Sequence, residues 1–160
     1  MVCVGFNVVK DHIFYAVAEF GMPKFDLQKV DKVPYSMESG DQMALAFDSI
    51  KALLKHLQNT HPDATYSFLA SSAGQYGSSV ETIKAEGILQ LAARHIGIDL
   101  KKITPQSLPK RLGIDKGVKW KPYLAETYNA EKKWKQFGSG GDGAVAAAIG
   151  GALKPVGYRG

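Results

Sequence analysis

The segment SGGDGAVAAAIGGAL, residues 139–153, holds a single acid, Asp142, at the mouth of a run of small apolar residues. A carboxylate placed there has two chemistries open to it. As a helix N-cap it accepts backbone N–H bonds and contributes about 1 kcal/mol. As a hard oxygen donor it ligates a divalent cation, given further ligands from elsewhere. A phosphate cradle is the poorest reading of these glycines, because Asp142 repels an anion and no lysine follows in the P-loop pattern. His12, His56, His61 and His95 show no metal-ligand spacing. No Gly-x-Ser-x-Gly elbow offers a serine nucleophile.

The second chemically suggestive stretch is basic. Residues 101–135 hold ten lysines and arginines against three acids, a local charge of +7 in a chain of net charge +5, which leaves −2 for the remainder. Trp120, Tyr123, Tyr128, Trp134 and Phe137 are interleaved with these cations or follow them. Cations neutralise backbone phosphates, and aromatic faces stack on exposed bases. The candidate nucleic-acid contacts are therefore Lys110, Arg111, Lys116, Lys119, Trp120, Lys121, Lys132, Lys133 and Lys135. The plain structural alternatives are a solvated lysine face, with Tyr123 and Trp134 packing their helix onto the sheet.

Composition bounds the rest. With 160 residues, 45% hydrophobic and 22% charged, the chain reads as one globular domain able to bury a core without staples. Cys3 is the only cysteine, which excludes an internal disulfide and fits a reducing compartment; its apolar setting predicts burial. The N-terminus lacks a basic segment followed by a long apolar region, and no apolar run reaches the length of a membrane span. The expectation is a cytoplasmic protein without a membrane partner.

The elements that must position these residues follow from periodicity. Residues 2–9, 13–20 and 25–35 read as three strands with short connections, an antiparallel meander, with Pro34 near the end of the third. Met43, Phe47, Ile50, Leu54 and Leu57 mark one helical face, with Asp41 as its N-cap and Pro62 past its end. Residues 64–70 read as a strand and 71–79 as a glycine-serine loop. A helix over 79–97 follows, with Ser78 and Glu81 as a capping box, Gly97 in the left-handed position after its last turn, and an apolar face of Val80, Ile83, Gly87, Ile88, Leu91 and Ile96. Gly87 costs about 1 kcal/mol relative to Ala inside a helix, a cost that close approach of another backbone would explain. A fifth strand over 98–104 precedes a short helix opened by Thr104 and Pro105 and limited by Pro109. Helices over 122–137 and 142–152 follow, and 154–160 is a loosely held tail. A meander followed by alternating α/β units predicts a five-stranded mixed sheet flanked by helices, within a domain spanning 1–153.

This order resembles the RNase H-like fold, and several segments resemble its RuvC-like branch. In that branch the first strand ends in a hydrophobic-Gly-hydrophobic-Asp pattern; VGFN here places Asn7 in the acid's position. The fourth strand ends in another acid, where SFLASS offers Ala70, Ser71 and Ser72. IKAEGILQLAA resembles the branch's small-faced helix, and ITPQSLPKRLGIDKGVKWKPYL its proline-led basic segment. SGGDGAVAAAIGGA resembles its last helix, with Asp142 in the place of the second of two acids and Ser139 in the place of the first. GQYGSSVETIKAEGILQL is similar to the corresponding segment of a small, uncharacterised bacterial family of RuvC-like domains.

The resemblance implies a metal-dependent nuclease ancestry. Such enzymes hold two divalent ions roughly 4 Å apart with three or four carboxylates. The matching positions here supply one carboxylate, Asp142, with a neutral carbonyl oxygen from Asn7 and a hydroxyl from Ser71. Glu86, near the edge of its helix's expected apolar face, is the candidate substitute acid, against a plain reading as a solvated helix residue. Asp11 reads as a turn residue and Glu19 as a surface one. The expectation is a nucleic-acid-associated RuvC-like domain, bound to DNA or RNA, catalytically impaired and without a resident cofactor. One alternative is an Mg²⁺- or Mn²⁺-dependent, structure-selective endonuclease of Holliday-junction-resolvase type, with Asp142 as metal ligand. Another is a protein-interaction or self-assembly module with a protein partner or a homodimer.

Overall fold

Val4, Phe6 and Val8 face one way from the first strand, and Cys3, Gly5 and Asn7 face the other. Both faces are covered, so the strand reads as a continuous apolar run rather than as an alternation. A computed structural model of the chain describes residues 1–9, 11–21, 24–71, 80–115, 117–128 and 137–153. Its strands are β1 (Val2–Val9), β2 (His12–Gly21), β3 (Lys24–Pro34), β4 (Thr65–Leu69) and β5 (Leu100–Ile103). The helices are α1 (Gly40–Thr60), α2 (Val80–His95), α3 (Leu108–Leu112), α4 (Trp120–Tyr128) and α5 (Gly138–Ala152). Among the described residues the succession of elements is the predicted one; residues 129–136 of the helix expected over 122–137 lie outside them. They form one five-stranded sheet in the order β3-β2-β1-β4-β5. The meander pairs antiparallel, while β1–β4 and β4–β5 pair parallel. The expected mixed α/β architecture is thus present. The predicted tail, 154–160, lies outside the described residues, as does most of the glycine-serine loop.

Two cores sandwich the sheet. On one face α1 and α2 bury Ile50, Leu54 and Leu89 against Val4, Phe6, Tyr15 and Phe68. On the other, α5 buries Ala144, Val145 and Ile149 against Ala16, Ala18, Leu69 and Ile103, with Leu108, Leu112 and Leu124 from α3 and α4 closing its flank. Cys3 is buried as expected, and burial pushes its thiol above the ordinary range. No helix among the described residues is long and apolar enough to cross a membrane.

Local signals held in some places and were overridden in others. Ser39, not Asp41, caps α1: its hydroxyl accepts from Gln42 N–H while the Gln42 side chain accepts from Ser39 N–H, a reciprocal capping box. Gly97 adopts φ +80° after α2, as expected, and Ile98 N–H bonds back to the Ala93 carbonyl. Thr104 and Ser107 exchange side-chain-to-backbone bonds ahead of α3, which spans five residues around Pro109. The fourth helix begins at Trp120, two residues before Pro122.

The phase of α2 differs from the expected one. Thr82, Ala85, Glu86, Leu89, Ala92 and Ala93 are buried, whereas Val80, Ile83 and Leu91 are exposed. The larger side chains suggested a face; the alanines make the one that nests, because small residues let α2 sit close against α1 and the sheet. A Cβ on Gly87 would meet nothing within 4 Å among the described residues, so none of their backbones explains that glycine.

The start of α5 also differs. The glycines of GSGG predicted a break and a helix beginning near Asp142, but α5 starts at Gly138. Tertiary contact overrides the weak helix propensity of glycine. A Cβ on Gly140 would strike the Phe14 ring, one on Gly143 the Asn7 amide, and one on Gly151 the Ser67 hydroxyl. A Cβ on Gly5 of β1 would strike the backbone of Ala144 and Ala148. Helix and sheet therefore touch nearly backbone to backbone along this seam.

Candidate functional site

The carboxyl ends of β1 and β4 lie side by side, with Asn7 in register with Leu69. Asn7 points to the α5 face because Phe6 and Val8 take the opposite one. Its side chain is half-buried, rests against Gly143 and donates from Nδ2 to the Gly140 carbonyl at 3.3 Å. The Nδ2 donor is thus spent on fastening β1 to the first turn of α5. A carboxylate in its place would set an anion against a carbonyl oxygen.

Asp142 lies within α5, next to Gly143, and its expected role as N-cap is not the one it has. Phe137 occupies the cap position, with no side-chain cap bond. Asp142 is half-buried. Ser71, two residues beyond β4, is half-buried and donates its backbone N–H to Glu86 Oε1 at 2.7 Å. Glu86 is therefore not the solvated helix acid of the plain reading. It is 9% exposed and delivers a carboxylate from α2 to the end of β4, where the strand itself has none. A charge-assisted bond to a backbone N–H compensates burial of that carboxylate. The sequence signal was present: Glu86 follows Ala85 and precedes Leu89 and Ala92 at helical spacing, the face that proves to be buried.

At the same end, His12 opens β2, and its Nδ1 lies 2.8 Å from Asp11 Oδ1, with the Phe14 ring next to the imidazole. Tyr35, just past β3, carries a hydroxyl pushed up to about 12 by burial, with the Asp11, Glu81 and Glu86 carboxylates adding to the rise and the Thr82 hydroxyl opposing it.

These donors do not fit a pair of divalent cations. Asn7 is neutral and turns an N–H toward Gly140, and Ser71 is neutral. Asp142 and Glu86 approach the strand ends from opposite faces of the sheet, on α5 and α2. Among the described residues, no three His, Cys, Asp or Glu side chains converge on a common ion position.

The basic segment flanks the far half of α5. Lys110, Lys119 and Lys121 are exposed, and Lys121 Nζ lies 5.5 Å from the centre of the Trp120 ring. Arg111 is half-buried and donates from Nη1 to the Gly150 carbonyl, tying α3 to α5. Gly150 is eight residues beyond Asp142, about 12 Å along the helix. Trp120 and Tyr123 pack against the core under α5, and Tyr123 donates to the Leu112 carbonyl at 3.5 Å. Lys116, Lys132, Lys133, Lys135 and Trp134 lie outside the described residues.

Neither a protein-family model nor a curated protein matches the sequence. Solved structures do resemble this fold. Thermus thermophilus RuvC superimposes with a TM-score of 0.71 at 16% identity, over 97% of this chain and 99% of that one. T. thermophilus RuvC in complex with a Holliday junction substrate superimposes with a TM-score of 0.65 at 15% identity, again over 97% and 99%. At such identities the likeness is one of architecture, and the chain carries the RuvC-like form of the RNase H-like fold.

Proposed function

We propose that this chain is a nucleic-acid-associated RuvC-like domain that binds DNA or RNA and cuts poorly or not at all. The observation that carries the reading is the Asn7 amide, held on the Gly140 carbonyl where the resemblance calls for an acid. The similar RuvC structure that holds a Holliday junction supports a nucleic-acid partner. Further support comes from the exposed cations Lys110, Lys119 and Lys121 and the +7 charge of their segment. The functional unit is residues 1–153, acting in the cytoplasm, where the thiol of Cys3 stays reduced. No resident cofactor is required.

Binding to duplex, four-way branched and single-stranded DNA and RNA, titrated with salt, tests the proposal. For duplex the logarithm of affinity should fall linearly with log salt, with a slope of about −0.9 per phosphate neutralised. Replacing Lys110, Lys119 and Lys121 together by Ala should flatten that slope by up to about 3. An absence of salt-sensitive binding at low ionic strength would overturn the reading.

The buried Glu86 favours a second reading, a divalent-metal-dependent endonuclease with a relocated acid. Incubation of branched DNA with Mg²⁺ or Mn²⁺ separates the two. Cleavage by the parent chain that is lost in both Asp142→Ala and Glu86→Gln would support the nuclease, and equal cleavage by parent and variants would exclude these ligands.

A further inference from the structure

We infer that the free edge of β5 takes up an extended acidic peptide as a sixth strand of the sheet. The inference stands apart from nucleic-acid binding and uses Lys101 and Lys102, two cations of the +7 segment to which no phosphate is assigned above. Among the described residues β5 pairs with β4 alone, Leu100–Ile103 lying alongside Tyr66–Leu69. Ile103 turns its carbonyl inward, to the Ala70 N–H at 2.8 Å. Main-chain groups change side at each successive residue of a strand. Lys101 therefore also faces β4, while the N–H and C=O of both Leu100 and Lys102 face outward. Four main-chain groups thus stand in line along one edge. Beside them, between β5 and α2, lies an open cleft of about 620 Å³ to which Arg94, Ile98 and Leu100 contribute.

The side chains select what binds. Leu100 is half-buried on the α2 face, at the cleft. Lys102 follows on the same face and Lys101 on the other, both exposed. Lysines on an edge deter neutral and basic strands and admit an acidic one. The opposite edge, β3, is closed more fully, by Lys29, Lys32 and Pro34 and by a register shift against β2. In an antiparallel addition, residues directly opposite one another share a face. The incoming strand therefore presents, from N to C, an acid opposite Lys102, an acid opposite Lys101 and an apolar residue opposite Leu100, whose side chain enters the cleft. Arg94 adds a third cation at the cleft, and Asp99, one position further on, excludes a third acid from the strand. Donors and acceptors in alternation match a peptide backbone. A phosphodiester backbone offers acceptors only and would leave the outward carbonyls of Leu100 and Lys102 unmet.

Fluorescence anisotropy with the full chain and a labelled peptide, Ser-Thr-Glu-Glu-Val-Thr-Ser, tests the inference. The first Glu and the Val lie opposite Lys102 and Leu100, so their N–H groups are the ones that pair. N-methylation of those two should weaken binding by about tenfold or more, the loss of two hydrogen bonds. N-methylation of the second Glu, whose N–H faces away from β5, should be tolerated. Lys101→Glu combined with Lys102→Glu should also cost about tenfold at unchanged far-UV circular dichroism, and a peptide with Lys-Lys in place of Glu-Glu should recover the loss. The Lys110→Ala, Lys119→Ala, Lys121→Ala protein should bind the acidic peptide as the parent does, so a failure of the nucleic-acid reading leaves this result standing. No binding at millimolar peptide overturns the inference. Equal affinity for the plain peptide and the one methylated at both pairing positions does so too, since charge attraction alone would then account for binding. Displacement of the peptide from the triple-alanine protein by single-stranded DNA assigns the edge to nucleic acid and overturns it as well.

Discussion

Asn7→Asp restores the acid that the resemblance calls for, and the structure predicts that it harms the protein. The Asn7 amide donates 3.3 Å to the Gly140 carbonyl and rests on Gly143. The aspartate loses one hydrogen bond, worth about 1 kcal/mol, and leaves the carbonyl facing an anion, which adds about 1–3 kcal/mol for a buried site. Asn7 is half-buried, so solvent takes part of that penalty, and a total near 2 kcal/mol is expected. For a domain of this length, that corresponds to a drop of about 4–8 °C in the thermal midpoint. The carbonyl raises the pKa of the new carboxyl in the folded state. The loss is therefore present at pH 7 and shrinks as pH falls toward the ordinary aspartate value near 4. Differential scanning calorimetry of parent, Asn7→Asp and Asn7→Ala in metal-free buffer at pH 5 and pH 7 reads all of this. Asn7→Ala should lose the bond without the repulsion and fall between the other two at pH 7. An Asn7→Asp protein as stable as the parent at pH 7 would show that the amide does not hold β1 to α5.

Three further outcomes follow from the same geometry. Glu86→Ala removes the acceptor of the Ser71 N–H and should cost about 1.5–3 kcal/mol, read as a lower urea midpoint at unchanged slope, with Glu86→Gln losing less because it keeps an oxygen there. Gly5→Ala drives a Cβ into the backbone of Ala144 and Ala148, so it should cost at least about 3 kcal/mol and abolish the near-UV circular dichroism of the folded core; a normal spectrum would contradict the tight seam. Burial raises the Tyr35 hydroxyl to about 12, and a raised folded pKa means stability that is complete below 10 and lost as pH climbs toward 12. Thermal midpoints should therefore fall across that window, and less steeply in Tyr35→Phe; a parallel decline in both proteins would remove Tyr35 as a cause.

The strands and the order of elements were legible because β-branched runs and the spacing from Met43 to Leu57 are dictated by local chemistry. The beginning of α5 was not. GSGG breaks a helix in isolation, and only the surfaces of Phe14 and Asn7, distant in sequence, make it helical. The phase of α2 failed for a related reason: hydrophobic size pointed to Ile83 and Leu91, while close packing chose Ala85, Ala92 and Ala93. The plain reading of Glu86 as a solvated acid fails with it, since a carboxylate inside an apolar face is anomalous until the Ser71 N–H that it accepts is known. Asp142 stands out by its isolation among small residues and Asn7 only by the resemblance, and the hydrogen bond that fixes Asn7 depends on Gly140, which carries no side chain to advertise a partnership.

The seam between β1 and α5 joins residues 133 positions apart. On a ribosome, the first strand is therefore made well before α5 and waits with one face bare while the long stretch between them emerges. Closing so long a loop is slow, and the waiting sheet is open to self-association in the meantime. The nascent chain has reason to need a chaperone until the closing helix arrives, and truncations that end before it should precipitate rather than fold in part.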